Sequence, residues 1–313
     1  MTRTLVVGGT GAMGRHVIRH LLATTDASFT VPTRDPESAH ATALAATAPE
    51  RVRLVRSAPS AADALTRGID RAFINTDFFA TGSAVGEYRQ GVELLEAARA
   101  AGVARLIWSS LDSAVSLTGR PVPHFDSKAA VAAHIDLMRS EEMLRQESDG
   151  WYTNHVSVLT TAPYFENLRD RLTPRPDGHG GLRFRLPLGT GAARYPLVAL
   201  DDIAWFTGHM FANWQSWGAR DLSVIGDSLT GEQLAATFTR VTGVPTAYAP
   251  MPPAELHSAR PGFGHDYAAM FQFFADRDLY AQDRDLPLLR RLHPALMTFE
   301  SWLRHTGWRG PAH

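Results

Sequence analysis

The sequence predicts an α/β protein built on a parallel sheet with helices on both faces, and three observations carry that prediction. Short apolar runs alternate five times with segments of helical periodicity before Pro163. The first run ends in a glycine turn that opens directly into the first helical segment. At 313 residues and 44% hydrophobic, the chain can bury one large core or two modest ones.

Leu5, Val6 and Val7 form the first run, which stops at Gly8 and Gly9; residues 14–22 then place apolar side chains at helical spacing. Further strands are predicted at 29–32, 52–55 and 71–75, then a helix over 88–101 and a fifth strand at 104–108. Ser109 and Ser110 are expected just past that strand, and residues 156–159 supply a sixth. Such alternation implies right-handed crossovers, which put ligands at the C-terminal ends of the strands. Beyond Pro163 the pattern breaks, and residues 173–191, rich in Gly and Pro, predict a hairpin or an ordered loop. Asp201 and Asp202 read as the N-cap of a helix over 203–211, and Thr230 with Gln233 starts another before 234–241. The expected organisation is a sheet domain over 1–162 and a smaller, mainly helical lobe over 163–313, with some segments returning to the sheet.

Composition excludes several function classes. With 31 basic and 32 acidic residues the net charge is -1, so no overall field draws nucleic acid or an anionic membrane, and a small-molecule ligand becomes the default. There is no cysteine, which rules out disulfides, thiolate metal sites and a Cys nucleophile. The N-terminus runs straight into the first strand without a charged leader, and no apolar run approaches the roughly 18 residues of a membrane span, so a cytoplasmic protein is expected. The 13 histidines include no pair with zinc-protease spacing, and His16 and His20 lie on the first helix, so no metal is assigned.

Gly8, Gly9, Thr10, Gly11, Ala12, Met13 and Gly14 form the turn between the first strand and first helix. Gly8 permits the tight turn, Gly11 lets backbone approach a pyrophosphate, and Gly14 lets helix and strand pack closely while the helix N-terminus faces the phosphates. In this context the motif predicts a Rossmann-type dinucleotide site. The second strand ends in Thr33, Arg34, Asp35 and Pro36. Arg34 can grip a 2′-phosphate bidentately, whereas Asp35 serves the ribose hydroxyls of NAD if the loop turns differently. NADP(H) is therefore expected, with NAD(H) the alternative. Of the 31 basic residues only Lys128 is lysine. A chain that uses arginine everywhere else has kept one compact ammonium, either by chance or because a planar guanidinium does not suit that place.

These features, with His124, Phe125, Asp126 and Ser127 leading into Lys128, the run Tyr164, Phe165, Glu166 and Asn167, and Met270, Phe271, Phe274, His293 and Trp302 further on, resemble the NmrA-like branch of the atypical short-chain dehydrogenase/reductase superfamily, above all its NADPH-sensing subgroup. The resemblance covers nearly the whole chain. It implies that Gly9 to Gly14 hold the pyrophosphate, Arg34 the 2′-phosphate, and Thr76, Asp77 and Phe78 the span from adenosine to nicotinamide. It further implies that Lys128 holds the nicotinamide ribose and that Tyr164, Phe165, Glu166 and Asn167 flank the ring. Typical family dehydrogenases donate a proton from a tyrosine four residues before the lysine, beside a serine just past the fifth strand. Here His124 replaces that tyrosine, and Leu111 falls at the serine position unless the register shifts by one to Ser110. Ala58 and Pro59 stand where an acidic residue commonly meets adenine.

An imidazole titrates near neutral pH, so His124 is either a substitute general acid or a structural residue. Phe78, His124, Tyr164, His265, Met270 and Phe274 are the candidate substrate contacts, although the segment from 262 to 274 reads equally as ordinary helix packing. Two functions follow: an NADPH-dependent oxidoreductase reducing a small carbonyl, enone, quinone or imine, with Lys128 and His124 as catalytic candidates, and a non-catalytic NADPH/NADP sensor acting on a protein partner. The first leads the second narrowly, and a homodimer suits either. A DNA-binding regulator finds no basic stripe or recognition helix to support it.

Overall fold

The computed structural model describes residues 1–57, 62–259 and 262–311. The chain divides into two compact units, one of Met1–Asp112, Pro123–Thr160 and Ile203–Leu222, the other of Ser113–Val122, Thr161–Asp202 and Ser223–His313.

The chain begins β1 (Arg3–Val7), α1 (Ala12–Thr24), β2 (Ser28–Thr33), α2 (Ala39–Thr47), β3 (Val52–Arg56), α3 (Ala62–Thr66) and β4 (Arg71–Ile74). It continues through α4 (Phe78–Thr81), α5 (Ala84–Ala100), β5 (Arg105–Ser110), α6 (Ala114–Thr118), α7 (Pro123–Leu144), α8 (Trp151–His155) and β6 (Val156–Thr160). A 3-10 turn at Phe165–Leu168 precedes β7 (Arg175–Pro176), β8 (Leu182–Phe184), β9 (Tyr195–Leu197), α9 (Leu200–Ala212), α10 (Trp214–Trp217) and β10 (Leu222–Ser223). The remainder comprises β11 (Asp227–Leu229), α11 (Gly231–Thr242), β12 (Thr246–Tyr248), α12 (Pro253–Ala259), α13 (Gly264–Asp276), α14 (Leu279–Gln282), α15 (Leu286–Leu292) and α16 (Phe299–Thr306).

The first unit is the predicted α/β fold. Its sheet runs β10-β6-β5-β4-β1-β2-β3, and the pairings from β6 across to β3 are all parallel. Strand order reverses between β4 and β1, and the crevice at that switch point is where such sheets take ligands. All of β4 is buried, as is β5 beyond Arg105, the pattern of parallel strands covered on both faces. One core layer joins Leu5, Ala72, Ile74, Leu106 and Trp108 of the sheet to Leu94, Leu95 and Ala98 of α5 and Val131 and Ile135 of α7. Each fully buried Leu, Ile or Val contributes about 1.5–3 kcal/mol. Gly91 lets α5 come this close, because a Cβ there would stand 2.6 Å from Val131 and 3.0 Å from the Trp108 ring.

The far edge of this unit is closed by chain from beyond residue 203. Arg105 donates to the Phe211 carbonyl (2.9 Å), Ser157 to the Trp217 carbonyl (2.6 Å), and the Asp221 carboxylate accepts from the Val158 amide (2.9 Å) and from Arg139.

In the second unit β7 and β8 form the expected hairpin, β12 joins β8 in parallel, and β9 pairs with β11. The Thr230–Gln233 capping box starts α11 as the sequence predicts. Two expectations need correction. Ser109 and Ser110 do not follow β5 but end it, in register with Leu159 and Thr160 of β6, so the strand is longer than its apolar run. Asp201 and Asp202 do not cap α9, which starts at Leu200. Asp202 instead caps distant chain: its carboxylate accepts from the Met297 amide (3.0 Å) and pairs with His293 Nε2 (2.9 Å).

Candidate functional site

The glycine turn is shaped by contacts that admit no side chain. Gly8 has φ +75, which favours glycine, and its carbonyl accepts from the Gly11 amide (3.0 Å). A Cβ at Gly8 would lie 2.4 Å from the Asn75 carbonyl oxygen, and one at Gly14 2.3 Å from Gly8 O and 2.5 Å from Gly9 Cα. The first turn of α1 is thus pressed against the end of β1. At Gly11 a Cβ would meet only Gly8 O, at 3.1 Å. No side chain caps α1 and its first turn carries no acid, so neither competes with an anion for the first-turn amides or the positive end of the helix dipole. Thr10 sits in the turn, while Met13 is buried and receives a contact from Ser109 Oγ (3.4 Å).

At the end of β2 the Arg34 guanidinium is exposed and lies 3.6 Å from Asp77, which follows β4. Arg56 donates to the Arg34 carbonyl (3.1 Å). Asp35 accepts from the Glu37 amide (3.0 Å) and so shapes its own turn. Two further basic side chains have no place in the sequence reading. Arg56 closes β3 beside Arg34, and Arg15, directly after Gly14, reaches Gly11 O (3.4 Å) and His40 Nδ1 (2.9 Å). Ala58 and Pro59 lie outside the described residues.

Lys128, on the second turn of α7, is buried. Its ammonium reaches the Thr76 carbonyl (2.7 Å), Thr76 Oγ1 (3.1 Å), Asn75 Oδ1 (3.3 Å) and Glu87 Oε1 (2.9 Å). Burial pulls it below the ordinary lysine value, while Glu87 and then Asp77 oppose that fall. Glu87 was not foreseen: it lies 41 residues away in sequence and no local pattern sets it apart. His124, one turn before Lys128, is packed among the rings of Phe125 (4.8 Å), Phe79 (5.5 Å) and Phe78 (6.1 Å). Thr76 and Phe78 are buried and Asp77 is exposed. The structure therefore brings Thr76, Phe78, His124 and Lys128 together at the C-terminal end of β4.

The remaining candidates belong to the second unit. Tyr164 pairs with Val198 in a bridge, and burial raises its hydroxyl well above the ordinary tyrosine value, so the phenol stays protonated. Phe165 is wholly buried between Phe299 (5.8 Å) and Trp302 (5.5 Å). Glu166 accepts from Trp302 Nε1 (3.1 Å) and from the Leu200 amide. These two side chains thereby take part in the packing and hydrogen bonding of their own unit. Asn167 lies beside the Tyr195 hydroxyl. His265 is exposed at the start of α13; Met270 is buried and Phe274 packs on Tyr195 (5.7 Å), both within that helix's apolar face. Among the described residues no group of three His, Asp or Glu is arranged to hold a metal ion. No helix among them is long and apolar enough to cross a membrane.

Fold and site together define an α/β protein of the Rossmann class with a glycine turn at its switch point. The chain belongs to the NmrA-like family, whose model matches residues 1–303. Among relatives it is similar to an NmrA-like family domain-containing oxidoreductase, FrzB, of Cladobotryum sp., at 27% identity over 80% of this chain and 76% of that one. Among solved structures it resembles NmrA, described as a negative transcriptional regulator and solved with NAD: TM-score 0.75, 20% identity, 97% of this chain and 94% of that one. The NADP complex of NmrA matches at TM-score 0.73, with 20% identity and the same coverage. The NADPH-dependent quinone oxidoreductase QOR2 of Escherichia coli matches at TM-score 0.70 and 20% identity, over 97% of this chain and 100% of that one.

Proposed function

We propose that this chain is an NADP(H)-dependent oxidoreductase that reduces a small carbonyl, enone, quinone or imine. One observation carries this: the glycine turn and the only lysine meet at Asn75. The Asn75 backbone oxygen lies where a Gly8 side chain would be, and its side-chain oxygen accepts from Lys128 Nζ. A dinucleotide with its diphosphate on the amides after Gly11 would then run along the end of β4 and bring its second sugar toward the ammonium.

The cofactor would supply the hydride. The chain's own part is to bind and orient: backbone amides for the diphosphate, Arg34 with Arg56 beside it for a 2′-phosphate, and Lys128 for the sugar hydroxyls. The engagement of Asp35 with the Glu37 amide favours the phosphate-binding role of this turn over a ribose carboxylate. His124 would supply the proton to the reduced substrate, directly or through water, with Phe78 and Phe79 as apolar walls.

Loss of reduced-nicotinamide fluorescence on adding quinones, enals or cyclic imines is the test, and no decay across a broad panel would defeat the enzymatic assignment. The second function, a sensor whose partner binding follows the NADPH to NADP ratio, is favoured by one feature: His124 stands where a tyrosine proton donor would be, enclosed by three phenylalanines. Sedimentation that is identical in both cofactor states, with no partner exchanged, would remove it.

A further inference from the structure

Glu87 is an acidic side chain with no exposure at all, on the first turn of α5. The positive end of that helix dipole favours its charge. Its Oε1 accepts from Lys128 Nζ (2.9 Å) and Thr76 Oγ1 (2.7 Å), and its Oε2 from Ser127 Oγ. Lys128 itself has three protons and four acceptors within 3.3 Å. Three of those acceptors belong to Glu87 and Thr76, and the longest contact is to Asn75 Oδ1.

We propose that Glu87 is the positioning residue of the nucleotide site: it holds Lys128 as an aimed ammonium that hydrogen-bonds the nucleotide sugar and does not serve as the proton source. This rests on the NADP(H) assignment above. The Asn75 contact is the one that a sugar hydroxyl can replace at least cost, since the bonds to Glu87 and Thr76 keep the side chain in place meanwhile. Releasing a proton from Lys128 would leave the buried Glu87 carboxylate without its counter-charge, held by hydroxyls alone, which opposes release. The groups around the ammonium support the same outcome. Asn75, Thr76 and Asp77 face it from the end of β4 and Glu87 from α5; the Trp108 ring lies 5.9 Å away on β5; Ser127 adjoins it on α7, with Asp126 and His124 on the preceding turn. The proton that completes a reduction is thereby left to His124 or water.

Because Lys128 is the only lysine, protein labelled with carbon-13 lysine gives a single side-chain titration. Glu87→Gln should lower the Lys128 midpoint by about one to three pH units. The alkaline limit of NADPH binding should fall by the same interval, with affinity below the new midpoint within a few-fold of wild type. Glu87→Asp should give a smaller fall, and it decides the matter if Glu87→Gln does not fold. An unmoved Lys128 midpoint in the variant that folds overturns the proposal, as does an NADPH affinity reduced equally at every pH, which is what a purely structural role would give. Wild-type protein that binds neither nucleotide would instead defeat the NADP(H) assignment, and the two failures stay distinct because the lysine resonance reports without cofactor.

Discussion

Replacing Gly14 by alanine asks whether the turn is shaped by the chain itself or by what it binds. The added Cβ would stand 2.3 Å from Gly8 O and 2.5 Å from Gly9 Cα, both backbone atoms that cannot swing aside. Ordinary contact needs about 3.4 Å, so the first turn of α1 must retreat by about 1 Å. Overpacking of this kind costs about 1–3 kcal/mol, and rigid obstacles put it at the upper end. Alanine returns roughly 1 kcal/mol as the better helix former. The net loss is about 2 kcal/mol, which for a unit of this size lowers Tm by about 4–8 °C. The same retreat carries the amides of Ala12 to Gly14 away from a diphosphate, and losing even one charge-assisted bond of about 1.5–3 kcal/mol weakens binding tenfold or more. Gly11→Ala is the control: its Cβ meets only Gly8 O at 3.1 Å, so Tm should stay within about 2 °C of wild type while NADPH affinity still falls. Thermal unfolding and calorimetric titration with NADPH measure both quantities. A Gly14→Ala protein with wild-type Tm and affinity, or a Gly11→Ala protein less stable than Gly14→Ala, would refute the reasoning.

Arg34→Ala should weaken NADPH by about 1.5–3 kcal/mol and leave NADH nearly unchanged; equal losses for the two cofactors would reassign Arg34. Asp202→Asn disturbs the bonds to His293 and the Met297 amide and should cost about 1–3 kcal/mol in denaturant unfolding, and a change below about 0.5 kcal/mol would show the clasp to be idle. Hydrogen bonds from the Arg3 side chain and amide hold the Asp70 carboxyl below the usual carboxylate range. Its contribution is therefore present above about pH 4 and lost as pH falls through the folded-state value. In melts taken from about pH 6 down to pH 2, Arg3→Ala should lose stability less steeply than wild type; parallel curves would contradict the pairing.

What could be read from the sequence was what neighbours in sequence decide. The passage from β1 through Gly8 and Gly14 into α1 is written in consecutive residues, and the alternation of apolar runs gives the parallel strands. Lys128 stood out through its rarity alone. The partner that holds it did not, because Glu87 lies on another helix and looks like any acid near a helix start. Arg15 carries a local signal, a basic residue one step past the last motif glycine. Ser109 and Ser110 were cut from β5 because polar residues end an apolar run on paper, while the ladder with β6 continues through their backbones. Asp202 misled for the converse reason: an acid at a helix start reads as a local cap, whereas its acceptor oxygens satisfy chain 91 and 95 residues downstream.

The edge formed by Phe211, Trp217 and Asp221 bears on how the first unit can be made. A ribosome that has delivered only the residues through β6 leaves Arg105, Ser157 and the Val158 amide without the groups they bond in the finished protein. Synthesis must run some sixty residues further before those groups emerge, so a gene fragment stopped after β6 should yield an unstable product, whereas an expression boundary placed after Ser223 keeps every segment of that unit and the whole of β10.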